Sequence, residues 1–195
     1  MKAVQRSQIL PYDQYERLRP LLRPLFIAEK DRRRLAVGPN VTLLFENVQT
    51  VWYQVQEMLR SERIESEAGI AHELDTYNEL LPGPNELAAT MLIEFADPAQ
   101  REENLRKLAG LENQVALVIG ERRQKARVDL RQVSAERVSS VQFLRFSLGG
   151  LDAEGLMAMA GQGRIAVEIS HPAMMVRAPI SGSLAAALAQ DLAQS

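Results

Sequence analysis

The chain has 195 residues, of which 46% are hydrophobic and 25% charged, an ordinary globular composition that excludes disordered and fibrous classes. It holds no cysteine, which rules out disulfides, thiolate-held iron–sulfur clusters and a thiol nucleophile. Its net charge of −2 hides a division: residues 1–60 carry 10 basic and 6 acidic residues, residues 61–103 carry 2 and 11, and residues 104–195 carry 11 and 8.

The first residues, Met1 to Arg6, are not followed by an apolar core of the kind a secretory signal needs. No stretch of about 18 apolar residues is present, so no membrane span and a cytoplasmic location are expected. Residues 11–35 read as helical. Tyr15, Leu18, Leu22, Leu25 and Phe26 fall at helical spacing, but Pro20 and Pro24 predict two short helices or a kink. Lys30, Arg32, Arg33 and Arg34 end this segment, where cations suit a helix C-terminus. Gly38-Pro39-Asn40 is a turn and residues 41–46 a strand. Asn47 or Thr50 can cap a helix over about 51–63, with Val51, Val55, Met58 and Leu59 on its apolar face.

A second helix is predicted over 65–80 and stopped by Pro82-Gly83-Pro84. Residues 89–95 read as a strand and 97–109 as a polar helix. Residues 114–119 and 124–130 flank a turn at Gly120-Glu121 and suggest a hairpin. Further on come a strand over 137–148, a helix over 152–160, a strand over 165–170 and an alanine-rich closing helix over 184–192. The resulting expectation is one α+β domain, helix-rich over about 1–110 and strand-rich over about 111–195. A mixed or antiparallel sheet would carry an N-terminal helical portion and a helical hairpin.

Three groups of residues bear on chemistry. The first is Glu57 on one helix of the hairpin with His72, Asp75 and Glu79 on the other. Spacings of three and four aim the last three at one point, as a divalent metal would need. A solvated face explains the same pattern, and Gly69 stands where a Glu-x-x-His motif would place its glutamate. The chain's two histidines are too few for a three-histidine zinc site. The second group is Arg33, Arg34 and Arg60, which could grip a small anion as bidentate forks. The basic run is too small a footprint for nucleic acid, and pairing with the acidic middle is the simpler expectation. The third is His171, a candidate acid or base whose following Pro172 fits a strand end. No Walker A, Rossmann or nucleophile-elbow motif is present.

The run Arg32 to Asn47, with Gln54 to Arg60, Glu73 to Pro84, Val141 to Phe146 and His171-Pro172, resembles an uncharacterised bacterial family, domain-of-unknown-function family 3501. Glu57, Arg60, Glu73, Asp75, Tyr77, Asn78 and Glu79 match its pattern, but the resemblance assigns no chemistry to them. An aromatic is expected soon after the His-Pro pair, where this chain has Ala173-Met174-Met175. Members are often encoded near rubrerythrin-like and iron–sulfur proteins. The resemblance therefore implies an accessory or interaction role beside a redox partner. A homodimer is the commonest assembly for such a chain, with Phe45, Trp52 or Phe146 as candidate apolar contacts.

Overall fold

The computed structural model describes residues 3–129 and 136–194. A 20-residue helix α1 (Tyr12–Asp31) is followed by strands β1 (Arg34–Ala36) and β2 (Val41–Phe45) and helices α2 (Val48–Ser61) and α3 (Glu67–Asn78). Then come β3 (Glu86–Ile93), α4 (Pro98–Lys107), β4 (Val115–Ile119), β5 (Arg122–Lys125), β6 (Arg127–Val128) and β7 (Val141–Ser147). The chain ends with α5 (Ala153–Gly161), β8 (Ile165–His171), β9 (Met174–Pro179) and α6 (Gly182–Ala193).

The α+β class is as expected, but the strands form two antiparallel sheets rather than one. The five-stranded sheet runs β1-β2-β3-β7-β6 and the four-stranded sheet β5-β4-β8-β9. Alternation along each strand decides the layers. Leu43 and Phe45 of β2, Met91 of β3, and Leu144 and Phe146 of β7 share one core with Leu117 of β4 and Val167 of β8. Helices α5 and α6 close that core through Leu156, Leu184 and Leu188. On the opposite side of β7, Phe143 packs against a second cluster built from Val51, Val55 and Leu59 of α2 and Ile70 and Leu74 of α3. The helical hairpin therefore lies on the five-stranded sheet.

Local chemistry sets the ends of these elements. Asn47 caps α2: its Oδ1 accepts from the Thr50 amide at 2.9 Å, and its own amide donates to Thr50 Oγ1 at 3.0 Å. Ser66 caps α3 by accepting from the Gly69 amide at 3.2 Å. Of the two outcomes expected for α1, separate short helices are not found: one helix runs from Tyr12 to Asp31 with both prolines inside it. Pro20 and Pro24 are both on its exposed side, so the carbonyls left without an amide donor face water. Phe26 stacks on Trp52 and Tyr53 of α2 at centroid distances of 5.2 and 4.8 Å, which fastens the helix to α2 just beyond both prolines.

The hairpin turn at Gly120-Glu121 is present, but its second strand covers only Arg122–Lys125. One residue later β6 pairs with β7 in the other sheet. The strand expected over 137–148 is Val141–Ser147, and β1 and β9 were not anticipated from periodicity. Both are largely open on one face, with exposed Arg34, Met175 and Arg177 among them. The part of the hairpin expectation that covers residues 130–135 lies outside the described residues.

Candidate functional site

Three of the four metal candidates share a surface. His72, Asp75 and Glu79, with Thr76, form one wall of an open cleft of about 1020 Å³. Leu80 after α3, Phe143 and Arg145 of β7, and Arg127, Val128 and Asp129 from β6 and the residue after it complete the lining. They meet because residues three, four and seven apart recur on the solvent side of α3, while Ile70 and Leu74 turn to the core. Glu57 is not among them. Its carboxylate accepts from the Tyr15 hydroxyl at 2.7 Å and takes a bidentate grip from Arg19 at 2.7 and 2.8 Å. The Arg19 hydrogen bond is the main reason its pKa lies below the usual range, outweighing the upward push of burial. Among the described residues, no group of three or more histidine, aspartate or glutamate side chains is arranged to hold a metal ion.

The steric role of Gly69 is concrete. A Cβ there would lie 2.5 Å from Ile64 Cγ2 in the turn between the two helices. A glutamate that completed a Glu-x-x-His pair with His72 would therefore have to displace the Ile64 side chain.

The cleft's arginines are already engaged. Arg145 donates to the Leu81 carbonyl at 2.9 Å and to the Glu79 carbonyl, which satisfies carbonyls at and just beyond the end of α3. Arg127 and Arg145 both pair with Glu86.

The anion candidates are not brought together. Arg33 is buried, with 1% of its side chain exposed, and is held from two sides. Its Nη1 and Nη2 donate to Asp191 at 2.6 and 2.8 Å, and its Nε to Glu29 at 2.5 Å. Burial alone would lower the guanidinium's pKa, but these carboxylates outweigh it and raise it. Arg34 faces solvent and pairs with Asp31 at 3.4 Å. Arg60 lies against Glu16 without the alignment of a hydrogen bond at Nε, and lines a different pocket beside Tyr12 and Gln56. The basic run thus pairs with Glu29, Asp31 and Asp191, not with the acidic middle of the chain. Close sequence neighbours reach it within one helical turn, and α6 brings Asp191 over it.

His171 ends β8 as expected, and both of its ring nitrogens are bonded to the backbone. Nδ1 accepts from the Ala173 amide at 3.2 Å. Nε2 therefore carries the hydrogen and donates to the Ala109 carbonyl at 3.1 Å. This arrangement ties the β8–β9 turn to the loop after α4.

Sequence reasoning missed a buried polar group beneath α2. Glu46 is 3% exposed and accepts from Thr90 at 2.6 Å, from Gln54 at 3.1 Å and from Thr50. The signal was Thr90, a lone hydroxyl within the apolar run of β3 and on the face opposite Met91. Lys30 lies near this carboxylate, 5.1 Å above the Tyr53 ring, and its pKa is lowered chiefly by burial. Of the aromatic dimer candidates, Phe45 and Phe146 are fully buried, and the half-buried Trp52 packs on Tyr15 and Phe26.

No curated protein matches the chain. A crystal structure of a novel protein of unknown function from Burkholderia pseudomallei K96243 does: 36% of residues are identical, 98% of this chain and 100% of that one are covered, and the TM-score is 0.88. The family model described as a protein of unknown function, DUF3501, matches residues 3–192. A likeness that runs nearly end to end in sequence and in fold makes this chain a member of the DUF3501 family.

Proposed function

We propose that this chain is a cytoplasmic, non-catalytic accessory protein whose acidic helical hairpin docks on a basic surface of a redox protein in an oxidative-stress system. One observation carries the docking half of this reading: Arg6 and Arg19 hold Glu67 and Glu57, but other hairpin carboxylates are left unpaired among the described residues. Glu62, Glu65, Glu73 and Asp75 make no ion pair among the described residues, while the basic run Arg32 to Arg34 is taken up by Glu29, Asp31 and Asp191. An unneutralised acidic surface steers a basic partner and gives a salt-sensitive contact. The redox identity of the partner rests on the family resemblance. A homodimer belongs to the same reading, since two-fold dimers are the commonest assembly of such chains.

The test is a pull-down at low and high salt, repeated with Glu62→Gln, Glu65→Gln, Glu73→Gln and Asp75→Asn combined. A partner held at low salt should be released at high salt and missed by the variant. Equal retention by variant and parent would sink the docking surface.

A second reading has its own observation, the shared cleft of His72, Asp75 and Glu79. It assigns the chain as a carboxylate-rich metal-binding protein or enzyme. It expects a divalent metal near one equivalent in untagged protein, lost on His72→Ala. Chain that purifies without metal and takes none up removes this reading.

A further inference from the structure

Helix α1 has two apolar stripes, and only one has a neighbour among the described residues. Tyr15, Leu22 and Phe26 face α2, where Tyr15 is buried and Phe26 stacks on Trp52 and Tyr53. On another side stand Leu18, Leu21, Leu25 and Ala28, with the three leucines 36%, 70% and 67% exposed and Ala28 exposed too. Their spacing is three, four and three, the a/d rhythm by which one helix seats against another. Gln14 and Arg32 continue the rhythm at either end and give the stripe polar limits. Such a stripe is not the scatter of single apolar residues found on any surface.

We propose that this stripe is the seam of a homodimer, in which α1 pairs with α1 of a second copy in antiparallel sense. The proposal rests on the homodimer reading above and specifies its interface. Self-complementarity selects both the occupant and the direction. Aligned antiparallel about a two-fold axis, Leu21 lies level with Leu25 of the second copy, and Leu18 with the small Ala28. Gln14 then meets Arg32.

The flanking positions agree. Arg17 and Asp31 occupy equivalent places on the same side of the stripe, two heptads apart, and antiparallel helices bring such positions together. Arg17 is exposed and makes no ion pair among the described residues, while Asp31 has only its 3.4 Å contact to solvent-exposed Arg34. The dimer therefore gains two symmetric Arg17–Asp31 pairs across the seam. A parallel pairing would set Arg32 against Arg32 in one layer and leave Arg17 opposite Leu22. One helix from each copy makes a small interface, so the dimer is expected to be concentration-dependent rather than obligate.

Sedimentation velocity over a concentration series reads the seam directly. The parent chain should pass from monomer to dimer. Leu21→Glu with Leu25→Glu should weaken the dimer by about tenfold or more, with an unchanged circular dichroism spectrum because both leucines are exposed. Arg17→Glu or Asp31→Arg alone should weaken it about two- to fivefold, and the two swaps together should restore it.

Direction is read by cysteine crosslinking, for which the cysteine-free chain provides a clean background. A mixture of Leu18→Cys and Ala28→Cys chains should crosslink on oxidation. Leu18→Cys alone should not, because its two sulfurs would be separated by about 15 Å along the helix axis. A chain monomeric at every concentration overturns both the seam and the homodimer reading. A dimer indifferent to Leu21→Glu and Leu25→Glu overturns the seam and leaves the homodimer standing. Self-crosslinking of Leu18→Cys overturns the antiparallel pairing, and a foreign protein bound to this stripe of a monomeric chain overturns the second copy as its occupant.

Discussion

The space between the two sheets and the helical layer outside them use apolar residues differently. Between the sheets, Phe146, Leu117 and Ile165 are closed off from water on every side. In the outer layer, α2 alone is enclosed, with its apolar stripe shared between the five-stranded sheet and α3. Helix α1 rests on α2 by one buried residue, Tyr15, and a stack of aromatic rings, and turns three leucines outward. The difference separates two tasks. The sheets supply the cohesion that orders the chain, and the outer helices can keep apolar and acidic surface free for contacts beyond it.

Substitutions divide along the same line. Phe146→Ala should cost about 3–5 kcal/mol, because the truncated ring leaves a cavity that neighbouring strands cannot fill. Urea titration followed by circular dichroism measures it. A cost under about 1 kcal/mol would mean that the sheets hold less of the stability than their packing implies.

Arg33→Ala is the largest effect expected in the junction between the two regions. It strands the Glu29 and Asp191 carboxylates and should cost about 3–5 kcal/mol by the same measurement. Arg33→Lys should recover little of it, since an ammonium cannot replace a fork that binds two carboxylates at once.

Acid should loosen the helical layer before the sheets. Burial pushes the Glu29 carboxyl up, but Arg32, Arg33 and Asn47 outweigh it and hold its pKa below the ordinary range; Glu57 is held down by Arg19 and Tyr15. Carboxylates depressed in the folded chain contribute stability that is complete above the unfolded glutamate value of about 4.3 and is lost as pH falls below it. Glu57→Gln should flatten that acid limb in a series of thermal midpoints. An unchanged limb would show that the α1–α2 contact carries none of the acid response.

The smallest effect should be at Leu21. Leu21→Ala is expected to change monomer stability by no more than about 0.5 kcal/mol, as for any open surface position. The same change should weaken self-association, which sets stability and assembly apart at one residue. A large loss of monomer stability would place Leu21 in the fold's own interior.

Much of this architecture was legible in the sequence, and the losses have physical causes. Helix α2 announced itself by its cap and by a 3.6-residue apolar rhythm, α3 by its Pro-Gly-Pro stop, and β2, β4 and β8 by short apolar runs. Strands β1 and β9 did not: β1 has only three residues, and in β9 the exposed Met175 stands between Met174 and Val176, so the sequence hides the alternation of its burial. The prolines of α1 suggested a break, since the rule for interior prolines takes no account of the side they face. His72, Asp75 and Glu79 could be grouped from their spacing on a single helix. The partners of Arg33 could not, because Asp191 lies 158 residues away and only the folded chain brings it near. Glu57 was misgrouped for the same reason: its true companions, Tyr15 and Arg19, stand on α1.

Between β5 and β6 there is one residue, Ala126, whose amide donates to the Val115 carbonyl at 2.9 Å while its neighbours on either side enter different sheets. Mechanically this is a weld, with no length of slack to absorb tension. A load carried along the chain from β5 to β6 passes from one sheet to the other across that single residue. Stretched from its ends, the chain should give way in one rip, and inserting a few glycines beside Ala126 should split that event into two.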